Sequence, residues 1–319
     1  MKLSSSTGDF SHYVDSVPEK VACFKETKFK YINLEQTGTC PALFSDNDDD
    51  WKRFANECGE AAAKAGVKLV VSHAPCLHNP IFAALKNPNN EEYRRNIRAL
   101  RRSVEVCNML GIERIVIHAC ASLENSFTKE LFYKYNTMFY QEFFDLMEKY
   151  DITVMTENWD NSQSYFTTGK DMREFLDFIN HPLLCACWDT AHANIDSIAR
   201  EMGQYKNIID LGNKLKGLHI ADNFGDCHHH SWPFAGLVNF DEVMHGLIDV
   251  NYDGYFNFEA SYTLLHHNNA PYPRKPFEHQ GKTITTLLDP SIELKKKAVD
   301  LLYDVGQYIL EKYNCFEAK

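Results

Sequence analysis

Nothing in this chain of 319 residues approaches the roughly 20 consecutive apolar residues that a membrane-spanning helix needs. The opening residues, MKLSSSTGDF, lack the apolar stretch of a secretory signal, so a cytoplasmic location is expected. The ten cysteines lack the spacing of a disulfide framework. Several sit inside apolar runs such as LLCAC and VIHACAS, as reduced core thiols do. Cys185 and Cys187 fall on one face of a strand and make a weak metal signal. Basic charge is scarce: 33 Lys and Arg face 44 Asp and Glu, a net charge of −11. Such a chain repels polyanions, and its basic clusters, RRNIRALRRS and ELKKKA, fall on helical patterns with solvated faces. Nucleic acid is therefore not the expected partner, and neither is a membrane. A glycine-rich loop is missing too. The first strand runs into SSSTGDFS, whose single glycine is no dinucleotide fingerprint and argues against a doubly wound sheet. No linker or break in composition divides the chain, so one domain is expected over residues 1–319.

What the chain does have is alternation. Short β-rich runs occur at MKLSSS, FKYINLE, VKLVVSH, ERIVIH, DITVMTE, LLCACWD, LKGLHIAD and GYFNFE. Between them lie amphipathic helical stretches, among them DWKRFANECGEAAAKAG, EEYRRNIRALRRSVEVCNMLG, TKELFYKYNTMFYQEFFDLMEKY and IELKKKAVDLLYDVGQYILEKY. Gly66 and Gly111 fall where helices should stop. Eight such βα units predict an α/β protein with a single (β/α)8 TIM barrel. Two connections are long, residues 74–89 after the third strand and residues 260–289 after the eighth. Both belong to the side where barrel active sites form, and the second is expected to act as a lid, the alternative being a floppy surface insertion.

The strands end in an unusual way. The third to eighth finish at His73, His118, Glu157, Asp189, His219 and Glu259, about 30 to 45 residues apart, roughly one βα unit each. Neighbouring strands lie about 4.8 Å apart, so these side chains converge on one mouth. Three carboxylates gathered there repel one another unless a cation joins them. Glu157, Asp189, His219 and Glu259 are therefore the expected metal ligands, for Mn²⁺, Zn²⁺ or Co²⁺ rather than Ca²⁺. His192, three residues past Asp189, can turn back toward the same mouth. In the loop after the seventh strand, His228 and His230 alternate along HHH and can supply further ligands, with Asp222 and Asp226 nearby.

The segments HAP after the third strand, ENWD, WDTAH, HIADN, PFAGLVNF and FEAS resemble the xylose isomerase-like TIM-barrel superfamily along nearly the whole chain. That group includes sugar isomerases and epimerases as well as type-IV apurinic endonucleases. The resemblance to its ketose 3-epimerases and inosose isomerases implies one divalent ion on Glu157, Asp189, His219 and Glu259. The resemblance to the endonucleases implies two or three Zn²⁺, with His73, His118, His192 and His230 as added ligands. His228 stands where those enzymes have an aspartate. The expected function is a metal-dependent sugar isomerase or epimerase acting on a small sugar, ketose or inosose, phosphorylated or not. Proton transfer would pass through a metal-stabilised enediolate. Glu157 and Glu259 are the expected acid and base, and His192 orients an oxygen or shuttles a proton. Trp159, Trp188 and Trp232 offer apolar walls to the sugar, although Trp188 fits the core equally well, while Arg274 and Lys275 are candidates to bind it from the long loop. The alternative is a multi-zinc phosphoester hydrolase. A dehydratase could use the same enolising site, and the pattern admits a homo-oligomer.

Overall fold

Eight parallel strands follow one another around a ring: β1 (Leu3–Ser6), β2 (Tyr31–Glu35), β3 (Lys68–His73), β4 (Arg114–Val116), β5 (Thr153–Glu157), β6 (Leu184–Asp189), β7 (Leu215–His219) and β8 (Phe256–Phe258). The computed structural model describes residues 1–36, 40–77, 85–87, 89–121, 128–159, 165–267 and 273–318. Each strand pairs with its neighbour in sequence, and β1 pairs with both β2 and β8. The seam between β7 and β8 closes through a parallel bridge from Ile220 to Phe258. There Ile220 N donates to Asn257 O at 2.8 Å and Glu259 N donates to Ile220 O at 3.1 Å. The result is a TIM barrel, with His219 and Glu259 at either side of its seam.

The surrounding helices include α1 (Val17–Ala22), α2 (Pro41–Phe44), α3 (Asp48–Ala65), α4 (Glu91–Leu110), α5 (Lys129–Gln141), α6 (Phe144–Tyr150) and α7 (Gly169–Ile179). They continue as α8 (Thr190–Ile195), α9 (Ser197–Leu211), α10 (Phe240–Asp249) and α11 (Ile292–Lys312). Helices α3 and α4 end at Gly66 and Gly111, with φ of 70° and 67°, the left-handed geometry that glycine adopts without a steric cost. The stretch read as one helix over residues 128–150 is broken at Glu142–Phe143. Arg101 takes the Glu142 carbonyl, and Phe143 turns inward to stack edge-on against Phe139 at 5.2 Å. Tertiary contacts outweigh local helical propensity there.

The long connection after β8 carries regular structure of its own. Part of it forms a hairpin, β9 (Phe277–His279) with β10 (Lys282–Ile284), whose residues are all exposed. Its turn, Gln280–Gly281, has both φ values positive, as tight hairpins favour. Residues 268–272 of this connection, and residues 78–84 and 88 near the one after β3, lie outside the described residues. Among the described residues no helix is long and apolar enough to cross a membrane. All ten cysteines are free thiols, and Cys185 and Cys187 lie buried in an apolar cluster with Val70, Val71, Val116 and Met155.

Helix α11 packs tightly on the barrel. A Cβ at Gly306 would meet Phe258 Cζ at 2.6 Å and Leu3 Cδ2 at 2.8 Å. Both neighbours belong to the main core, so neither can swing away. Gly306→Val is expected to cost about 1–3 kcal/mol through overpacking. Thermal unfolding would show this as a midpoint several degrees lower; an unchanged midpoint would mean that α11 can lift from the barrel freely.

Candidate metal centre at the barrel mouth

The site is built from strand ends, and each ligand candidate is held by the element that follows it. Asp189 ends β6 and caps α8: its Oδ1 accepts from His192 N at 2.7 Å. Capping consumes one carboxylate oxygen, while Oδ2 is buried without a hydrogen-bond partner. On β5, Glu157 is 2 % exposed. Its Oε1 lies 2.9 Å from His219 Nδ1 and 3.3 Å from His192 Nδ1. Its Oε2 lies 3.4 Å from His118 Nε2 and 3.6 Å from His73 Nε2. Glu259, just past β8, brings Oε2 to 2.6 Å from His219 Nδ1.

These approaches are close, yet both ring nitrogens of His219, Glu157 Oε2 and Glu259 Oε2 have no hydrogen-bond partner. Glu157, Asp189, His219 and Glu259 each offer one ligand atom, and these four atoms lie within 4.8 Å of one another. Buried polar atoms left unpaired cost about 1–3 kcal/mol each, more when charged. Several in one place, all donors of lone pairs, fit a divalent cation better than any arrangement of hydrogen bonds. Three carboxylates with an imidazole make a mixed N/O set suited to Mn²⁺, Zn²⁺ or Co²⁺.

The electrostatics agree with this crowding. Burial works to raise Glu157, but His219 and His118 outweigh it and hold its carboxyl well below the usual carboxylate range. Glu259 is lowered against burial in the same way, chiefly by His219. Asp189 goes the other way: burial raises it, and Glu157 and Glu259 add to that over the opposing pull of His192. The three carboxylates crowd one another, and Asp189 is the one that this crowding pushes upward. Burial disfavours charge on His219 and His192, yet both are raised, His219 by Cys187, Glu157 and Glu259, and His192 by Asp189, Glu157 and Glu259.

Side chains that the sequence reading passed over fix the strand ends. Asn158 donates from Nδ2 to Asp189 O at 2.9 Å, and its Oδ1 accepts from Asp189 N at 2.6 Å. The Thr190 hydroxyl donates to Ala221 O at 2.7 Å and ties β6 to the end of β7. Lys295, on α11, is 1 % exposed. Its Nζ donates to Ser261 O at 3.0 Å and Thr263 O at 2.8 Å, with Asp9 Oδ1 at 3.8 Å, which anchors the chain just beyond Glu259. Asn158 stands inside ENWD, between two residues of obvious chemistry, and its amide was the available signal. Asn158→Ala leaves both backbone groups of Asp189 without their partners. The expected result is a 10- to 100-fold loss of metal affinity, about the usual effect of removing a supporting hydrogen bond. Calorimetric metal titration checks this, and wild-type affinity in the variant would remove Asn158 from the site.

Two groups of histidines flank the four ligand candidates. On one side His73 and His118 face each other at 3.1 Å between Nε2 atoms, and the ligand atoms of His73, Cys76 and His118 lie within 4.8 Å of one another. Cys76 is exposed as a residue, yet its thiol is crowded and pushed up to about 12, by desolvation first and then by Glu157, Glu259 and Glu35. On the other side the His192 and His228 rings are 4.6 Å apart, and His228 stacks on His230 at 5.6 Å. His230 also approaches Glu259 O through Nδ1, at 3.2 Å. Between the flanks sits Trp159, 4.9 Å from the His118 ring and 5.4 Å from His192. His229 turns away, with Nε2 at 2.9 Å from Asp226 Oδ1 and 3.2 Å from Cys227 Sγ.

Other candidates do not gather here. Trp188 is fully buried and donates from Nε1 to Gln204 Oε1 at 2.9 Å, which makes it a core residue. Trp232 packs against the main core. Arg274 is exposed and spends its guanidinium on carbonyls of its own connection, Leu288 O at 3.1 Å and Leu265 O. Lys275 is exposed beside it. Asp222 serves the loop, accepting from Gly236 N and Val238 N at 2.9 Å each.

The sequence pattern of the family described as "Xylose isomerase-like TIM barrel" matches residues 22–282. The chain belongs to that family. Members of the xylose isomerase-like family and its structural neighbours differ widely in what their names record. The chain is 26% identical over 204 residues to a "Probable endonuclease 4" of Methanoculleus marisnigri, covering 58% of this chain and 68% of that one. Among solved structures it resembles a "D-tagatose 3-epimerase-like protein", at a TM-score of 0.69 and 20% identity, over 98% of this chain and 100% of that one. It also resembles the IOLI protein "with a binding zinc atom", at a TM-score of 0.66 and 16% identity, over 98% and 99% of the two chains. At these identities the structures attest the fold the xylose isomerase-like family shares, and the chemistry has to be argued from the mouth itself.

Proposed function

We propose that this protein is a divalent-metal-dependent isomerase or epimerase of a small polyhydroxylated carbonyl compound, a ketose or an inosose. One observation carries the reading: Glu157, Asp189, His219 and Glu259 bring lone-pair atoms within 4.8 Å of one another, several of them buried without a hydrogen bond. These four would hold one divalent ion, Mn²⁺, Zn²⁺ or Co²⁺. When bound, the ion supplies Lewis acidity that stabilises negative charge developing on a substrate oxygen.

The chain's own residues account for the rest. Glu157 and Glu259 reach the mouth from β5 and from beyond β8, so each can address a different side of a bound sugar. Both are held ionised by His219, as a base that removes a proton from carbon must be. One removes the proton and the other, once protonated, returns it. Return to the opposite face inverts a centre, and return to the neighbouring carbon isomerises. His192, fixed through Nδ1 to Asn158 O at 2.9 Å, is placed to hold or move a proton at a substrate oxygen. Trp159 gives an apolar wall to the sugar's C–H face. Arg274 donates to carbonyls of its own loop and Lys275 is exposed, which argues for a substrate without a phosphate group.

Metal-loaded protein incubated with ketoses in D2O should place deuterium on the carbon next to the carbonyl, read by NMR. No exchange with any ketose or inosose offered would sink the proposal. A second reading, phosphoester hydrolysis by several zinc ions, is favoured by the approach of His73 and His118 to Glu157 Oε2. It is tested by release of phosphate from simple monoesters by zinc-loaded protein, with no deuterium exchange.

A further inference from the structure

The loop after β7 has two sides. Its base is closed by two backbone bonds: Asp222 N donates to Ser231 O at 2.8 Å, and Ser231 N donates to Asp222 O at 3.1 Å. His228 and His230 stay with the mouth, against the His192 ring and Glu259 O. Asp226, Cys227 and His229 gather apart from them, and the ligand atoms that each offers lie within 4.8 Å of one another. The backbone makes this cluster. Cys227 N donates to Asp226 Oδ1 at 2.9 Å, and His229 N donates to Cys227 O at 2.9 Å, a three-residue turn that brings the thiol beside the imidazole. Phe224 packs edge-on against the His229 ring at 5.5 Å. The His229 side chain is 12 % exposed, while that of Asp226, at 60 %, leaves the cluster open to solvent.

We infer that Asp226, Cys227 and His229 form a separate metal site on the solvent side of this loop, one that takes a thiolate-binding divalent ion such as Zn²⁺ or Co²⁺. The pairing at His229 decides between a metal and a nucleophile. In a thiol–histidine–acid relay the sulfur and the carboxylate sit on opposite nitrogens of the ring. Here Cys227 Sγ at 3.2 Å and Asp226 Oδ1 at 2.9 Å both converge on Nε2. One nitrogen, carrying at most one proton, serves two such neighbours poorly, whereas a cation placed among the three atoms serves them all. Zinc bonds of about 2.0 to 2.3 Å set neighbouring ligand atoms of a tetrahedron roughly 3.3 to 3.6 Å apart, so the three need to part by less than about half an ångström. Water from the open side completes the coordination. Sulfur and imidazole favour zinc or cobalt over manganese and magnesium, which prefer oxygen. An ion here clamps the loop from behind and steadies the backbone from which His228 and His230 reach the mouth.

The inference does not draw on the central group, and cobalt tells the two apart. Metal-free, reduced full-length protein is titrated with micromolar Co²⁺ and followed by absorption. Wild type is expected to show a near-ultraviolet thiolate-to-cobalt charge-transfer band beside visible d–d bands. Cys227→Ser should abolish the charge-transfer band and keep d–d bands from the central group. His229→Gln keeps the thiol, and the cobalt needed to raise the band should grow about tenfold or more. Cys76→Ser is the control, since Cys76 is the other thiol near potential ligands, and it should keep the band. A band that survives in Cys227→Ser, disappears in Cys76→Ser or is unmoved in His229→Gln overturns this inference and leaves the central ion intact. Cobalt bound without the band, or a band raised only by millimolar cobalt, does the same. No cobalt uptake by the wild type overturns both sites. Circular dichroism of each variant shows that a lost band reflects a lost ligand rather than a lost fold.

Discussion

Glu259→Gln is expected to lower kcat/KM for carbon-bound proton exchange by about 10²- to 10⁴-fold, the usual contribution of a positioned acid or base. The substitution keeps the size of the side chain and removes only its charge and basicity. It also removes one of the three carboxylates, so His219, now facing Glu157 alone at 2.9 Å, is less well balanced. Glu157→Gln should be at least as damaging, because its two oxygens face both histidine flanks. The double variant should fall little below the worse single one, since residues that act as a unit are not additive. Metal content measured beside the rates divides the loss into its two sources. Exchange within tenfold of wild type in either single variant would show that the base lies elsewhere.

The second large effect is on stability. A ligand bound only by the folded chain stabilises it by about 2.7 kcal/mol at a hundredfold excess over its dissociation constant. Chelation should therefore lower the unfolding midpoint by several degrees, and the gap should depend on pH in one direction. In the metal-free protein His73, His192 and His219 titrate above the ordinary imidazole value: burial opposes their charge, and the neighbouring acidic groups outweigh it. A histidine raised on folding contributes stability that is complete below about 6.5, its unfolded value, and is lost as pH climbs through its folded value. Metal-free protein should thus weaken from about pH 6.5 upward. The loaded protein needs no protons on its ligand nitrogens and keeps its midpoint. The gap widens as pH rises. Midpoints of both forms, compared between about pH 6 and pH 9, check the sign, and a gap that narrows would count against a metal at these histidines.

Much of the barrel is legible in the sequence because strand and helix periods differ and because glycine marks helix ends. The ligand candidates are legible for a different reason: a carboxylate or imidazole at the end of an apolar run has no structural need to be there. Six strands carry one, although β4 stops at Val116, short of His118, and β8 stops at Phe258, just before Glu259. What stayed hidden depends on contacts between distant residues. Asn158 is an ordinary amide until Asp189, 31 residues later, is brought beside it. Lys295 reads as one of a run of surface lysines, KKK, and no local pattern shows that it alone turns in to meet Asp9. The break between α5 and α6 is invisible for the same reason, since Arg101 lies more than a helix away. Trp188 is the case the sequence leaves open between sugar platform and core. An indole beside a ligand suggests a sugar platform, but strand alternation sends it to the opposite face, where Gln204 receives it.

The cap at Asp189 has a bearing on how this protein can change over time. One oxygen holds the start of α8 and the other faces the lone-pair cluster, so a single residue answers to folding and to chemistry at once. Asparagine would keep the cap and forfeit the charge. Glutamate would keep the charge but, one carbon longer, misplace the cap. No gradual route leads away from aspartate here, because every nearby step gives up one of its two duties. A descendant that gave up the charge through asparagine would keep the start of α8, whereas one that kept the charge through glutamate would loosen that helix before its chemistry changed.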